Sequence, residues 1–119
     1  MAELLLDTDI FIDHLRGARR LKPGGDSLSF SVVTRAELFA GPSADEDELR
    51  GLLAPFRELP LDAATAELAG RLRRETGIAL ADAMVAATAL IHRLQLLTRN
   101  HKHFEQVPGL LLAPSSTES

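Results

Sequence analysis

"LLLDTDIFIDHLRG", residues 4–17, decides the fold. Three leucines run directly into Asp7, and Asp9 and Asp13 follow. Residues 3–7 read as a short buried strand. Residues 9–16 read as a helix, with Asp7 or Thr8 near its N-cap and Gly17 as its stop. The question is why the strand should end on a carboxylate and lead into a helix that carries two more.

Outward from this stretch, strand and helix signals alternate. "RRLKPGGDS" (19–27) is a loop by its Pro-Gly-Gly centre, and "LSFS" (28–31) is a second strand. A helix follows from Val32 to Ala40, ended by Gly41-Pro42. "SADE" (43–46) is a capping box that opens a third helix towards Pro55. "RELPL" (57–61) is a short strand, and Asp62 caps a fourth helix ending near Gly77. Residues 79–93 form a fifth helix and "LLT" (96–98) a strand. "HKHFEQ" makes a turn or short helix, and "LLL" (110–112) makes a last strand.

Such alternation with short links implies an α/β fold, a three-layer α/β/α sandwich around a mainly parallel sheet of four to five strands. Ligands bind such sheets at the C-terminal ends of the strands. Asp7 lies at that edge.

The chain has 119 residues, 45% apolar and 25% charged, which suits one globular domain. We expect the domain to span residues 1–113 and a polar tail to span 114–119. There is no cysteine, so neither a disulfide framework nor a thiolate metal site is available. No secretory signal and no apolar run long enough to span a membrane is evident, which leads us to expect a cytoplasmic protein. A net charge of −4 argues against bulk electrostatic binding of nucleic acid. Three basic groups stand out nonetheless: Arg16, Arg19, Arg20 and Lys22; Arg71, Arg73 and Arg74; and Arg93, Arg99 and Lys102. Each is either a solvated face or a phosphate contact.

Each acid has a bland reading beside the chemical one. Asp7 alone could be an N-cap. It also opens a D-x-D pattern used by haloacid-dehalogenase-type phosphatases, but the lysine motif and acidic pair of that fold are missing. Glu37, in "SVVTRAEL", could close a capping box from Thr34; Ser31 is as good a cap, which would put Glu37 well inside the helix. Asp82 could simply favour the first turn of its helix. Its segment "IALADAMVAATAL" is so apolar that the helix reads as buried, and a buried carboxylate needs a cation, a donor network or a task. His101 and His103 suggest metal ligation, but no third nitrogen or thiolate ligand accompanies them. Asp13 reads as surface or partner-facing, and His14 and His92 as surface groups at helix ends.

Taken in order, "LLLDTDIFIDHLRG", "SVVTRAELFAG", "IALADAMVAATAL" and "LLTRNHKHFEQVPGL" closely resemble the motifs of PIN-domain ribonucleases, in particular the VapC toxins of type II toxin–antitoxin pairs. The resemblance runs from about Leu4 to Leu111. It implies Mg²⁺- or Mn²⁺-dependent endonucleolytic hydrolysis of RNA, leaving a 5′-phosphate and a 3′-hydroxyl. Carried over by position, the acids are Asp7, Glu37 and Asp82, and the fourth position falls on Asn100, the amide variant. On this reading Asp7 and Asp82 are direct metal ligands, Glu37 serves a second metal or orients water, and Asn100 positions water. Losing one charge at position 100 favours one tightly held ion over two. Thr98 and Asp9 match polar residues that support the acids. Many relatives carry Ser or Asn at position 9, which leaves open whether Asp9 reaches the metal.

The resemblance also implies a VapB-like antitoxin whose C-terminal segment crosses the site, a homodimer, and contact with operator DNA through the antitoxin alone. The expected antitoxin surface is the helix-one face, Ile10, Phe11 and Leu15, with helices around residues 44–56; the same apolar positions could equally be core. The alternative is a catalytically weak binding module on the same fold, acting through its antitoxin and operator DNA.

Overall fold

A computed structural model of the chain describes residues 3–17, 21, 27–42 and 45–114. Its elements follow the expected alternation. They are β1 (Glu3–Leu6), α1 (Thr8–Leu15), β2 (Ser27–Ser31), α2 (Val32–Phe39), α3 (Glu46–Leu53), β3 (Arg57–Leu59), α4 (Ala63–Thr76), α5 (Leu80–His92), β4 (Gln95–Leu97) and α6 (His101–Phe104). The four strands form one parallel sheet in the order β3-β2-β1-β4.

The leucine run explains the layers. Successive residues of a strand face opposite sides of its sheet. Leu4 and Leu6 pack with Ile10, Phe11, Phe30, Leu38, Leu49 and Leu53 on one face. Leu5 packs on the other with Ala69, Leu72, Val85, Ala86, Leu96 and Phe104. A strand buried on both faces must read as continuously apolar, which "LLL" does. Among the described residues, no helix is long and apolar enough to cross a membrane.

Two local expectations change, and one open alternative is decided. The last strand shrinks to a single parallel bridge from Leu112 to Leu96. Gly109, in the left-handed region at φ 79°, turns the chain so that only this point meets the edge of β4. Helix α3 is capped by Asp45, whose side chain accepts from the Glu48 N–H at 3.2 Å. The "SADE" box is therefore not the cap, and its Ser43 lies outside the described residues. Helix α2 begins at Ser31, whose Oγ accepts from the Val33 N–H at 3.1 Å. Glu37 thus lies inside α2, and no capping box runs from Thr34. Asp62 and Gly77 cap α4 as expected, Gly77 at φ 78°. Most of the 19–27 loop, with Arg19, Arg20 and Lys22, lies outside the described residues.

Candidate active site

Strand β1 is flanked by β2 on one side and β4 on the other. From β1 the chain runs outward to β2 and β3 and then crosses back to add β4 on the other side, so a crevice opens at the C-terminal end of β1. Asp7 is the first residue past β1. Its backbone N–H donates to Leu97 O at 3.0 Å, which extends the sheet ladder by one step, and its Oδ1 caps α1 through the Thr8 N–H at 2.8 Å. The N-cap reading is correct, and the cap holds the carboxylate still at the sheet edge.

The loop after β4 faces it. Thr98 Oγ1 lies 2.8 Å from Asp7 Oδ2 and 3.2 Å from Asp9 Oδ2, so one fully buried hydroxyl serves two carboxylates. Asp9 Oδ2 also accepts the Arg99 N–H at 3.0 Å and the Asn100 Nδ2–H at 3.2 Å. The backbone N–H of Asn100 donates to Thr98 Oγ1 at 3.1 Å.

Glu37 reaches the site from α2. Its Oε1 accepts the Thr8 hydroxyl, and Thr8 Oγ1 lies 3.0 Å from the buried Thr34 Oγ1. A hydroxyl has one proton, so Thr8 gives its own to Glu37 and takes that of Thr34. A two-toothed ion pair from Arg35 to Glu58, both contacts at 2.8 Å, fixes α2 against β3. Asp82 enters from the first turn of α5, with its Oδ2 3.7 Å from His103 Nδ1.

The electrostatics show that these acids sense one another. Burial pushes Asp7 up to about 6; Asp9 and, more weakly, Asp82 push the same way, while Thr98 and the Thr8 N–H pull it back. Burial also raises Asp9, against the Arg99 N–H and the Thr98 hydroxyl. Asp82 is raised by burial, reinforced by Glu37 and Asp9 and opposed by His103. Like charges packed this way are unfavourable alone, and a divalent cation reverses the sign.

Some placements differ from expectation. The Asp82 side chain is 28% exposed, so the deep burial expected of it belongs instead to Asp7 and Asp9, at 6% and 8%. Leu80 and Ala81 on the same first turn are not buried, because α5 sinks into the core only from Ala83 onward. Asp13 is buried rather than surface-facing and pairs with Arg99, Nε to Oδ2 at 3.0 Å. Arg73 donates to the carbonyls of Gly77 and Ile78 at 2.8 and 3.1 Å, so it serves as a helix stop. His14 Nδ1 accepts the Leu21 N–H at 3.0 Å, a local tie rather than a free surface group.

Thr8, Thr34, Asp13 and Arg99 were not expected at the site. Thr34 and Glu37 are three apart on a helix and share a face, which was the available clue to the Thr8–Thr34–Glu37 chain. Asp9 and Asp13 are four apart, and like charges at that spacing call for a cation between them. Arg99 is that cation: its N–H meets Asp9 and its guanidinium meets Asp13.

Thr98→Val tests the hub. It keeps the shape and removes a buried donor, so two carboxylates lose a partner at a cost of about 1–3 kcal/mol. The Asp7 carboxyl should rise further, because a donor that favours its charged form is gone. Urea unfolding at neutral pH measures the loss; an unchanged midpoint would make the Thr98 contacts incidental.

The family profile for the PIN domain matches residues 4–110. This chain belongs to the PIN-domain family. Within that family it is 38% identical over 117 residues to Ribonuclease VapC10 of Mycobacterium tuberculosis, with 85% of each chain covered. A toxin–antitoxin complex from Klebsiella pneumoniae contains a chain of the same fold, at TM-score 0.77 and 34% identity, covering 92% of this chain and 96% of that one. VapBC2 from Rickettsia felis, solved with a DNA fragment from its promoter, superposes at TM-score 0.79 and 22% identity over 94% of this chain and 98% of that one. The last likeness speaks to the fold alone.

The PIN domain implies a divalent cation, and the donors here fit one. All are hard oxygens of carboxylate, hydroxyl or amide groups. Asp9 Oδ1 is a buried carboxylate oxygen with no hydrogen-bond partner among the described residues. Among those residues no three His, Cys, Asp or Glu side chains are already drawn together to hold a metal ion. Glu37 is tied to Thr8, and Asp82 lies beside His103.

Proposed function

We propose that this protein is an endoribonuclease of the VapC type, the toxin of a toxin–antitoxin pair, and that it hydrolyses RNA with Mg²⁺ or Mn²⁺. The observation that carries this reading is the sheet edge at the end of β1, where Asp7 and Asp9 meet at the buried Thr98 hydroxyl and Asp82 and Glu37 lie within electrostatic reach. Sequence similarity to a ribonuclease over most of the chain supports it. A pure binding module would gain nothing from so repulsive a cluster.

In this reading Asp7 and Asp82 hold the cation. When bound, it supplies an activated water and offsets charge growing on the phosphate. The residues of the chain prepare that chemistry. The N-cap and Thr98 fix both oxygens of Asp7. Glu37, pinned by Thr8, is set to orient the attacking water or take its proton, and Asn100 places a neutral amide beside the phosphate. Water is the nucleophile, so no 2′-hydroxyl attack is required, and the products carry a 5′-phosphate and a 3′-hydroxyl.

The partners follow from the same reading. A groove of about 440 Å³ lined by Ile12, Leu15, Arg16, Leu38, Pro42 and Leu49 runs to Glu37. It suits an apolar antitoxin helix whose arginine could then pair with the acids. The groove differs from the expected surface, since Ile10 and Phe11 are fully buried core residues and only Leu15 of the three is exposed. Contact with operator DNA would come through the antitoxin. The chain would form a homodimer, and light scattering should give about twice the chain mass in the micromolar range; a monomer throughout would remove that part of the reading.

The test of function is cleavage of structured RNA by the purified chain with Mn²⁺ and with EDTA. We expect cutting only with Mn²⁺. Equal cutting in EDTA would overturn metal dependence.

A further inference from the structure

Resting on the ribonuclease reading, we propose that Asp9 binds the cation through Oδ1 and supplies the fourth negative charge that Asn100 lacks.

The geometry of the Asp9 carboxyl is one-sided. Its Oδ2 takes the Arg99 N–H and the Asn100 Nδ2–H and shares the single Thr98 hydroxyl proton with Asp7, whose Oδ2 is the nearer at 2.8 Å against 3.2 Å. These contacts on one oxygen fix the rotation of the group. Its Oδ1 is buried and unpartnered among the described residues, on a side chain only 8% exposed. A buried carboxylate oxygen without a donor is costly, and a cation is the strongest partner that could relieve it. The neighbours point the same way, since Asp9 shares the Thr98 hydroxyl with Asp7 and lies within electrostatic reach of Asp82.

Positions 9 and 100 also constrain each other. The Asn100 amide donates to Asp9 at 3.2 Å. Aspartate at both positions would set two anions at hydrogen-bonding distance, so the pair tolerates one acid and one amide. In this chain the acid is on α1 and the amide is after β4. The charge of the site is kept, but it is delivered from a different element. With Asp9 added, the cluster regains four carboxylates, which removes the earlier argument from charge for a single ion.

The test is calorimetric titration of Mn²⁺ alone into wild type, Asp9→Asn, Asn100→Asp and the double exchange Asp9→Asn/Asn100→Asp. Loss of a residue that only supports ligands weakens a metal by about 10–100-fold, so Asp9→Asn should weaken Mn²⁺ by about 100-fold or more. The double exchange should recover affinity to within about tenfold of wild type, on the same scale. Asn100→Asp alone should lower the melting temperature in EDTA. Undiminished affinity in Asp9→Asn would overturn the proposal, as would a loss that the double exchange leaves unrepaired, because Asp9 would then be only a clamp for the loop. A crystal structure of wild type with Mn²⁺ decides the point even if a variant fails to fold. Asp9 Oδ1 in the coordination shell supports the proposal, and an ion held without it refutes it. If wild type itself takes up no Mn²⁺, metal dependence as a whole falls, a different result from losing Asp9 alone.

Discussion

Asp7→Asn is expected to abolish RNA cleavage and, in EDTA at pH 7.5, to raise the melting temperature. The two effects have one cause. Asp7 is 6% exposed, and burial with neighbouring acids lifts it from 3.8 to about 6. At neutral pH the folded chain must hold it ionised at a cost of about 3 kcal/mol, at about 1.4 kcal/mol per unit. Asparagine removes that cost and still fits: its Oδ1 accepts the Thr8 N–H, and its amide can donate to Thr98 Oγ1. The lost charge-assisted hydrogen bonds offset part of the gain, leaving about 1–2 kcal/mol.

The sign with pH follows. A carboxyl whose folded value is raised favours the fold when protonated. Its contribution is complete below 3.8 and is lost as pH rises through about 6. Metal-free wild type should therefore melt higher at pH 5 than at pH 7.5, and Asp7→Asn should show a flatter profile over that window. As pH falls further Glu58, whose carboxyl is lowered by Arg35, works in the opposite direction. In the proposed reaction cleavage depends on metal-centred stabilisation worth several kcal/mol, so its loss in Asp7→Asn should be about 10²-fold or more. A variant less stable than wild type in EDTA would mean that the cap and hub contacts outweigh the charge.

Phe11→Ala is expected to have the largest effect on stability, about 3–5 kcal/mol. Phe11 is fully buried and stacks edge-to-face on Phe30 at 5.7 Å and on Phe56 at 5.5 Å. These pairs tie α1 to β2 and to the segment after α3. Phe11 also lies between Asp9 and Asp13, so it anchors the helix that carries both. Total stability of a domain is about 5–15 kcal/mol, so the variant should be partly unfolded near physiological temperature. Urea denaturation measures it, and Phe11→Leu should recover much of the loss. A drop below about 1 kcal/mol would show that α1 is held mainly by its polar contacts.

The leucine run and the alternation of elements made the layers legible, because a strand buried on both faces has little choice of residue. Asp7 and Asp82 stand out as candidates for the same kind of reason, since one follows a strand and the other lies in the first turn of a helix at the edge where a parallel sheet binds ligands, whereas Glu37 and Asn100 are legible only through the resemblance. The partnering among side chains was much less legible. Asp13 looked like a surface residue because its cation, Arg99, is remote in sequence and meets it only after β1 and β4 pair. Asp82 looked buried because its helix is apolar as a whole, yet burial starts one residue later. The bareness of Asp9 Oδ1 depends on which oxygen its separate donors choose, and no pattern along the chain encodes that.

The central claim is that this chain cuts RNA through Asp7. It is tested most directly by sequencing 5′-monophosphate RNA ends in cells that express wild type or Asp7→Asn without an antitoxin. The account predicts new ends at a restricted set of positions with wild type and none with the variant. The same ends in both, or new ends that carry 5′-hydroxyls, would contradict it.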